Sequence, residues 1–192
     1  MLTARNLSKR FGAKRVFEHV DVSLDGGRFL VVTGPNGSGK TTLLRVLAGL
    51  AAPTSGELDL PPRQVIGYLG HEPLVYRELT PFENLQLFGR LYRVPERRER
   101  IGMLLERFGL WDVRHERVSA FSRGMQQRLG LCRVLLHEPS LLVLDEPFNA
   151  LDAAGAALLD ETLAELSHRA LAVATHDPAR VERLATDRLA FS

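Results

Sequence analysis

A single cysteine, Cys132, leaves the 192-residue chain without an intrachain disulfide, which fits a reducing compartment. It lies in the apolar stretch Leu129-Gly130-Leu131-Cys132-Arg133-Val134-Leu135, where a small thiol fills core space rather than reacts. No run approaches the roughly 20 apolar residues that cross a bilayer, so work at a membrane requires spanning helices from another chain. Met1-Leu2-Thr3-Ala4-Arg5 lacks the apolar core of a secretory signal. An excess of one charge is missing too: 25 Lys and Arg face 23 Asp and Glu, a net +2 that gives no general pull toward nucleic acid. The densest charged run, Glu96-Arg97-Arg98-Glu99-Arg100, mixes signs and reads as a solvated helix face. Repeats and low-complexity segments are absent. What remains, 45% hydrophobic and 25% charged residues, is ordinary for one globular domain with a sizeable core.

The hydrophobic pattern alternates between strand and helix. Thr3–Leu7 and Val16–Leu24 read as strands, with a turn at Asp25-Gly26-Gly27. Phe29–Thr33 is a short β-branched run suited to a buried parallel strand, and Lys40–Leu50 reads as a helix. Glu57–Leu60 and Val65–Leu69 are further short strands. Thr80-Pro81-Phe82-Glu83 has capping-box spacing with proline at the first helical position, and Leu85, Phe88, Leu91 and Tyr92 follow as one expected face. Arg97–Gly109 is a second helix, with Ile101, Leu104, Leu105 and Phe108 inward. Helices from Ser122 to Leu136 and from Ala153 to Ser167 flank the strands Leu141–Leu144 and Leu171–Thr175. A short helix after Asp177-Pro178 and an edge strand at Arg188–Phe191 complete the pattern. The expected fold class is α/β: a mostly parallel sheet with flanking helices, a small N-terminal antiparallel part, and a helical subdomain at about residues 72–136, all within one domain of residues 1–192.

Gly34-Pro35-Asn36-Gly37-Ser38-Gly39-Lys40-Thr41 matches the phosphate-loop spacing G-x-x-x-x-G-K-[ST] between an apolar strand and a helix. Glycines let successive backbone N–H groups point inward, and the helix N-terminus adds its dipole. Lys40 supplies a point charge for the β- and γ-phosphates, and Thr41 a hydroxyl for Mg²⁺. The loop therefore points to a nucleoside triphosphate, with Thr42 extending the same turn.

Leu141-Leu142-Val143-Leu144 ends in Asp145 and Glu146, at the sheet edge where ligands of open α/β folds bind. Asp145 is placed for the Mg²⁺ shell and Glu146 for polarising the attacking water. Neighbouring strand residues point to opposite faces, so the two carboxylates are expected to do different jobs. The strand at Leu171–Thr175 ends in His176, a candidate hydrogen-bond donor to the γ-phosphate.

This set resembles the ATP-binding domains of ABC proteins, a P-loop NTPase family. Phe121-Ser122-Arg123-Gly124-Met125-Gln126-Gln127-Arg128 is similar to the family signature L-S-G-G-Q, with Arg123 in place of a glycine and Met125 in place of the glutamine. Ala150-Leu151-Asp152 resembles the D-loop and His176 the switch histidine, and Phe11 stands where the family carries an aromatic that stacks on adenine. The resemblance implies that Ser122 and Gly124 serve the ATP of a second ATP-binding subunit, so that two chains sandwich two ATP molecules head to tail. It also implies transmembrane permease partners, no nucleic-acid partner, and a peripheral place on the cytoplasmic face of the inner membrane. The family's usual glutamine is replaced by His71 in Gly67-Tyr68-Leu69-Gly70-His71-Glu72-Pro73. Imidazole is a poor Mg²⁺ ligand, which leaves contact with water or the γ-phosphate, or relay of motion to the membrane partner.

Leu69-Gly70-His71 and the compact length resemble the ATP-binding subunit of the haem exporter of cytochrome c maturation, and no appended regulatory domain is expected. Another exporter, of drug, lipid or polysaccharide type, is the alternative. A soluble ABC ATPase of translation or DNA repair would carry two such domains or a long coiled-coil insertion. A nucleotide kinase would need a lid and no signature, and a non-catalytic regulator would do without Glu146 or His176.

Overall fold

The computed structural model describes residues 1–191. Two long strands, β1 (Leu2–Phe11) and β2 (Lys14–Leu24), form an antiparallel hairpin, and β4 (Ser55–Asp59) pairs with the other edge of β1. Period-2 alternation on β2 sends Phe17, Val20, Val22 and Leu24 inward. The hairpin is longer than its apolar pattern suggests: β1 continues past Leu7 to Phe11, and Gly12, at φ 58°, makes the reversal.

The second sheet has five parallel strands in the order β5-β6-β7-β3-β8, namely β3 (Phe29–Thr33), β5 (Ile66–Leu69), β6 (Leu141–Asp145), β7 (Ala170–Ala174) and β8 (Asp187–Ala190). Every residue of β6 and β7 is buried, as a sheet covered on both faces requires. Alternate side chains enter separate cores. Leu30, Val32, Leu141, Val143 and Ala172 pack with Leu43, Leu44 and Leu47 of α1 (Lys40–Leu47) and with the antiparallel sheet. Phe29, Val31, Leu142, Leu144 and Val173 pack against the remaining helices.

Between β5 and β6 the chain is entirely helix and turn: α2 (Pro81–Leu91), α3 (Arg97–Arg107) and α4 (Arg123–Leu135) pack on one another there. After β6 comes α5 (Ala153–Glu165). Helices stop earlier than periodicity alone implies. α1 ends at Leu47 ahead of Gly49 (φ 68°), α3 ends at Arg107 ahead of Gly109 (φ 64°), and α5 tightens into a 3-10 turn at Leu166–His168. The region after Asp177 forms two 3-10 turns rather than one helix. Leu91, expected on the inner face of α2, is 68% exposed, because six residues at about 100° each carry it about 120° from Leu85.

The capping box is complete. Thr80 Oγ1 accepts from Glu83 N at 3.2 Å, and Glu83 Oε2 accepts from Thr80 N at 2.8 Å. Asn84, fully buried, extends this order by bonding Tyr76 N, Tyr76 O and Thr80 O. Thr80→Ala is expected to lower unfolding stability by about 1 kcal/mol, measured by urea denaturation; an unchanged midpoint would show that the box does not hold α2.

Candidate functional site

The loop joining β3 to α1 is built on glycines with positive φ: Gly34 at 145°, Gly37 at 81° and Gly39 at 110°. A Cβ on Gly39 would lie 2.8 Å from Val16 Cγ1, so the loop presses against β2 where only glycine fits. Lys40 opens α1 yet folds back over its own loop, donating to Gly34 O at 2.7 Å and Pro35 O at 3.0 Å while only 7% exposed.

The loop borders a cleft of about 730 Å³. Phe11, Lys14, Arg15 and Val16 enter from the hairpin, and Asn36, Gly37, Gly39, Lys40, Thr41 and Thr42 from the loop and α1. His71 comes from the segment after β5, Asp145, Glu146 and Asn149 from beyond β6, and His176 from beyond β7. Phe11 is 59% exposed at the hairpin tip, with Lys9 Nζ 5.0 Å from its ring centre.

Asp145 is 2% exposed. Burial holds its carboxyl above the usual carboxylate range and Glu146 adds to this; a hydrogen bond to the Thr41 side chain and the nearby His71 and Lys40 pull the other way. Its Oδ2 is buried and has no hydrogen-bond partner among the described residues. An unpartnered oxygen beside the Thr41 hydroxyl fits a hard cation. No cluster of three His, Cys, Asp or Glu residues suited to a metal exists among the described residues, so most of a cation's shell would have to come from phosphate and water.

Glu146 does not continue the strand. Its φ of 50° takes it out of the pleat, so both carboxylates line the same cleft, contrary to the opposite-face expectation from strand geometry. Glu146 N donates to Ala174 O at 2.9 Å. Its Oε2 accepts from His176 N at 3.2 Å and lies 2.8 Å from His176 Nδ1.

Ser122, Gly124 and Asp152 are not among the residues that line the cleft. Ser122 Oγ caps α4 by accepting from Met125 N at 3.2 Å, and Asp152 Oδ1 caps α5 by accepting from Gly155 N at 2.8 Å. A Cβ on Gly124 would stand 2.7 Å from Ala150 O, so the start of α4 lies close against the segment leading from Glu146 to α5. Gly34, Pro35 and Ser38 shape the loop without lining the open space. Sequence reasoning missed Lys14, Arg15, Val16 and Asn149. The first three were hidden by the underestimated hairpin, whose register places Lys14 opposite Phe11.

Residues 17–149 match the family model described as ABC transporter. The chain belongs to the ABC transporter family. This ABC chain is 40% identical over 184 residues to the uncharacterised ABC transporter ATP-binding protein YxlF of Bacillus subtilis, covering 92% of this chain and 62% of that protein. It is 33% identical to the lantibiotic transport ATP-binding protein SrtF of Streptococcus pyogenes, covering 96% and 84%. It is 42% identical over 160 residues to the cytochrome c biogenesis ATP-binding export protein CcmA of Pseudomonas syringae, covering 78% and 74%. The chain thus spans less than two thirds of some curated relatives, including YxlF at 62% and YdbJ of Bacillus subtilis at 64%. Among solved structures, an ATP-binding subunit of an ABC transporter aligns with TM-score 0.92 at 29% identity, covering 100% of this chain and 85% of the other. A dimeric ATP-binding cassette in a post-hydrolysis state with ADP and Pi aligns with TM-score 0.85 at 27% identity, covering 100% and 94%. No helix among the described residues is long and apolar enough to cross a membrane.

The burial of the Asp145 carboxyl makes stability depend on pH. A carboxyl harder to ionise when folded costs stability as pH rises through the ordinary aspartate value to the folded one, and the loss persists at neutral pH. Asp145→Asn is therefore expected to raise the thermal midpoint of the nucleotide-free ABC chain at neutral pH, with the gain vanishing below the usual aspartate range. A lower midpoint at neutral pH in scanning calorimetry would refute the burial cost.

Proposed function

We propose that this ABC chain is the ATP-hydrolysing subunit of a transporter, and the observation that carries the reading is the convergence of Lys40, Thr41, Asp145, Glu146 and His176 on one cleft. Phe11 offers its exposed ring to adenine. On a loop whose bend is set by Gly34 and by Pro35, which has no N–H to give, the backbone N–H groups of Asn36, Gly37, Ser38 and Gly39, with Lys40 and Thr42, cradle the phosphates. Thr41 and the free Asp145 Oδ2 are the protein groups that would hold Mg²⁺, whose charge would offset that of the β- and γ-phosphates. Glu146 orients the water, and His176 stands beside it to donate toward the γ-phosphate.

The Ser122 end of α4 is complete as a cap but stands outside its own cleft. A second copy, head to tail, would bring Ser122 and Gly124 over the nucleotide, with Asp152 near the same seam. The likeness to a dimeric cassette bound to ADP and Pi supports that arrangement. Closure on ATP and separation after hydrolysis would then move residues 72–92. There Leu74 and Tyr76 are 57% and 52% exposed and offer an apolar face to a permease at the cytoplasmic side of the inner membrane.

The finer reading is haem export for cytochrome c maturation. It is supported by Leu69-Gly70-His71 and by the 42% identity to CcmA. Export of another cargo is the second reading, favoured by the 33% identity to a lantibiotic transport protein over 96% of this chain, against 78% for CcmA. Copurification with the membrane partner, followed by its identification, separates the two.

Two substitutions test the chemistry. Lys40→Ala is expected to weaken ATP binding at least about tenfold in calorimetry, since it removes a charge from the phosphates; unchanged affinity would overturn the cradle. Glu146→Gln is expected to bind ATP, accumulate as a dimer on gel filtration, and lose about 100-fold or more of kcat. Near-normal turnover would remove Glu146 from its role.

A further inference from the structure

Arg133 is a guanidinium with 7% exposure and no carboxylate in salt-bridge reach among the described residues. Its partners are carbonyls. Nη2 donates to Tyr68 O at 2.9 Å and Nε donates to Pro73 O at 3.2 Å, so one planar fork clasps both ends of the segment that carries His71. The same guanidinium lies 5.3 Å from the ring centre of Phe88 on α2. One helical turn earlier, Gly130 provides the floor: a Cβ there would lie 2.6 Å from Pro73 Cβ. Desolvation lowers the Arg133 pKa, and a charge kept at that cost is compensated here only by geometry with carbonyls and an aromatic face.

At the other half of α4, buried Gln127 donates to Pro147 O at 3.1 Å, next to Glu146. One helix therefore grips both of the neighbouring loops that bring His71 and Glu146 to the cleft, while its N-terminal end carries Ser122 and Gly124, about 15 Å from Arg133 along the axis. We propose that Arg133 is the positioning residue that sets His71 at the cleft and makes the His71 segment move as one body with α4. This rests on the proposed ATPase reading. Under it, displacement of His71 by a bound triphosphate is delivered to the Ser122 end by a strap rather than by a flexible loop.

The test uses the full chain with Arg133→Met, Arg133→Lys and Gly130→Ala. Methionine keeps packing on Phe88 and loses both donors; lysine keeps the charge but not the fork; alanine crowds Pro73 and leaves Arg133 intact. Hydrogen exchange is followed without nucleotide, ATP affinity by calorimetry, and kcat and KM by phosphate release. In Arg133→Met, residues 69–76 should exchange faster with protection elsewhere retained, ATP affinity should stay within about twofold, and kcat should fall about tenfold. Arg133→Lys should fall between, and Gly130→Ala should loosen the same segment. Unchanged exchange at residues 69–76 in both Arg133→Met and Gly130→Ala overturns the proposal, as does a loss of protection spread evenly over the chain. If the unmodified chain binds no ATP, the ATPase reading fails instead, and the exchange result at residues 69–76 still decides the strap.

Discussion

Lys40 closes a ring within its own loop. Its ammonium reaches back to the carbonyls of Gly34 and Pro35, and the loop can take that shape only because Gly34, Gly37 and Gly39 accept positive φ and Gly39 tolerates Val16 at contact distance. The arrangement holds the curled backbone open before any ligand arrives. An anion entering the loop meets a backbone whose curl is already set, which lowers the ordering cost of the binding step. The rest of the cleft is arranged around this fixed piece. β2 braces it through Val16, α1 starts from it, and β6 and β7, paired beside β3 in the parallel sheet, deliver Asp145, Glu146 and His176 to its rim.

Much of this is legible in the sequence, because the strongest signals are local. The Gly34–Thr41 spacing, the apolar run ending in Asp145 and Glu146, and the Thr80–Glu83 box each depend on a few neighbouring residues, and each appears in place. Five strands entering one parallel sheet follow from the alternation of short apolar runs with helices. The family match over residues 17–149 covers the same run of motifs, from β2 to the segment beyond Glu146.

What was not legible depends on backbone angles and on distant partners. A left-handed residue at Glu146 cannot be read from an apolar strand that ends in two acids, yet that one angle brings both carboxylates into one cleft. Helix ends at Leu47 and Arg107 are decided by glycines two residues on, which a periodicity count passes over. Lys14, Arg15 and Val16 reach the cleft only because β1 pairs with β2 as far as Phe11 and Lys14, with irregular register along the way. Arg133 looks like an ordinary cation in a helix; its burial under the His71 segment appears only when α2, α4 and β5 are assembled.

The state of Glu146 in the free chain follows from the same assembly. One of its oxygens accepts the His176 amide and faces the His176 ring, so the carboxylate is already engaged before any water is positioned. A group held this way is fixed in direction through one oxygen, while the other carboxylate oxygen keeps its lone pairs for a ligand. The His176 amide bond fixes the direction of the carboxylate, and the ring contact is the one a ligand could replace. Backbone contacts favour that division of labour: Glu146 N is bonded to Ala174 O and Thr175 N to Val32 O, which ties the two strand ends together, while the imidazole is 66% exposed and hydrogen-bonds only the carboxylate among the described residues. The fold thus fixes the sheet edge by backbone bonds and leaves the His176 ring as the exposed group beside Glu146.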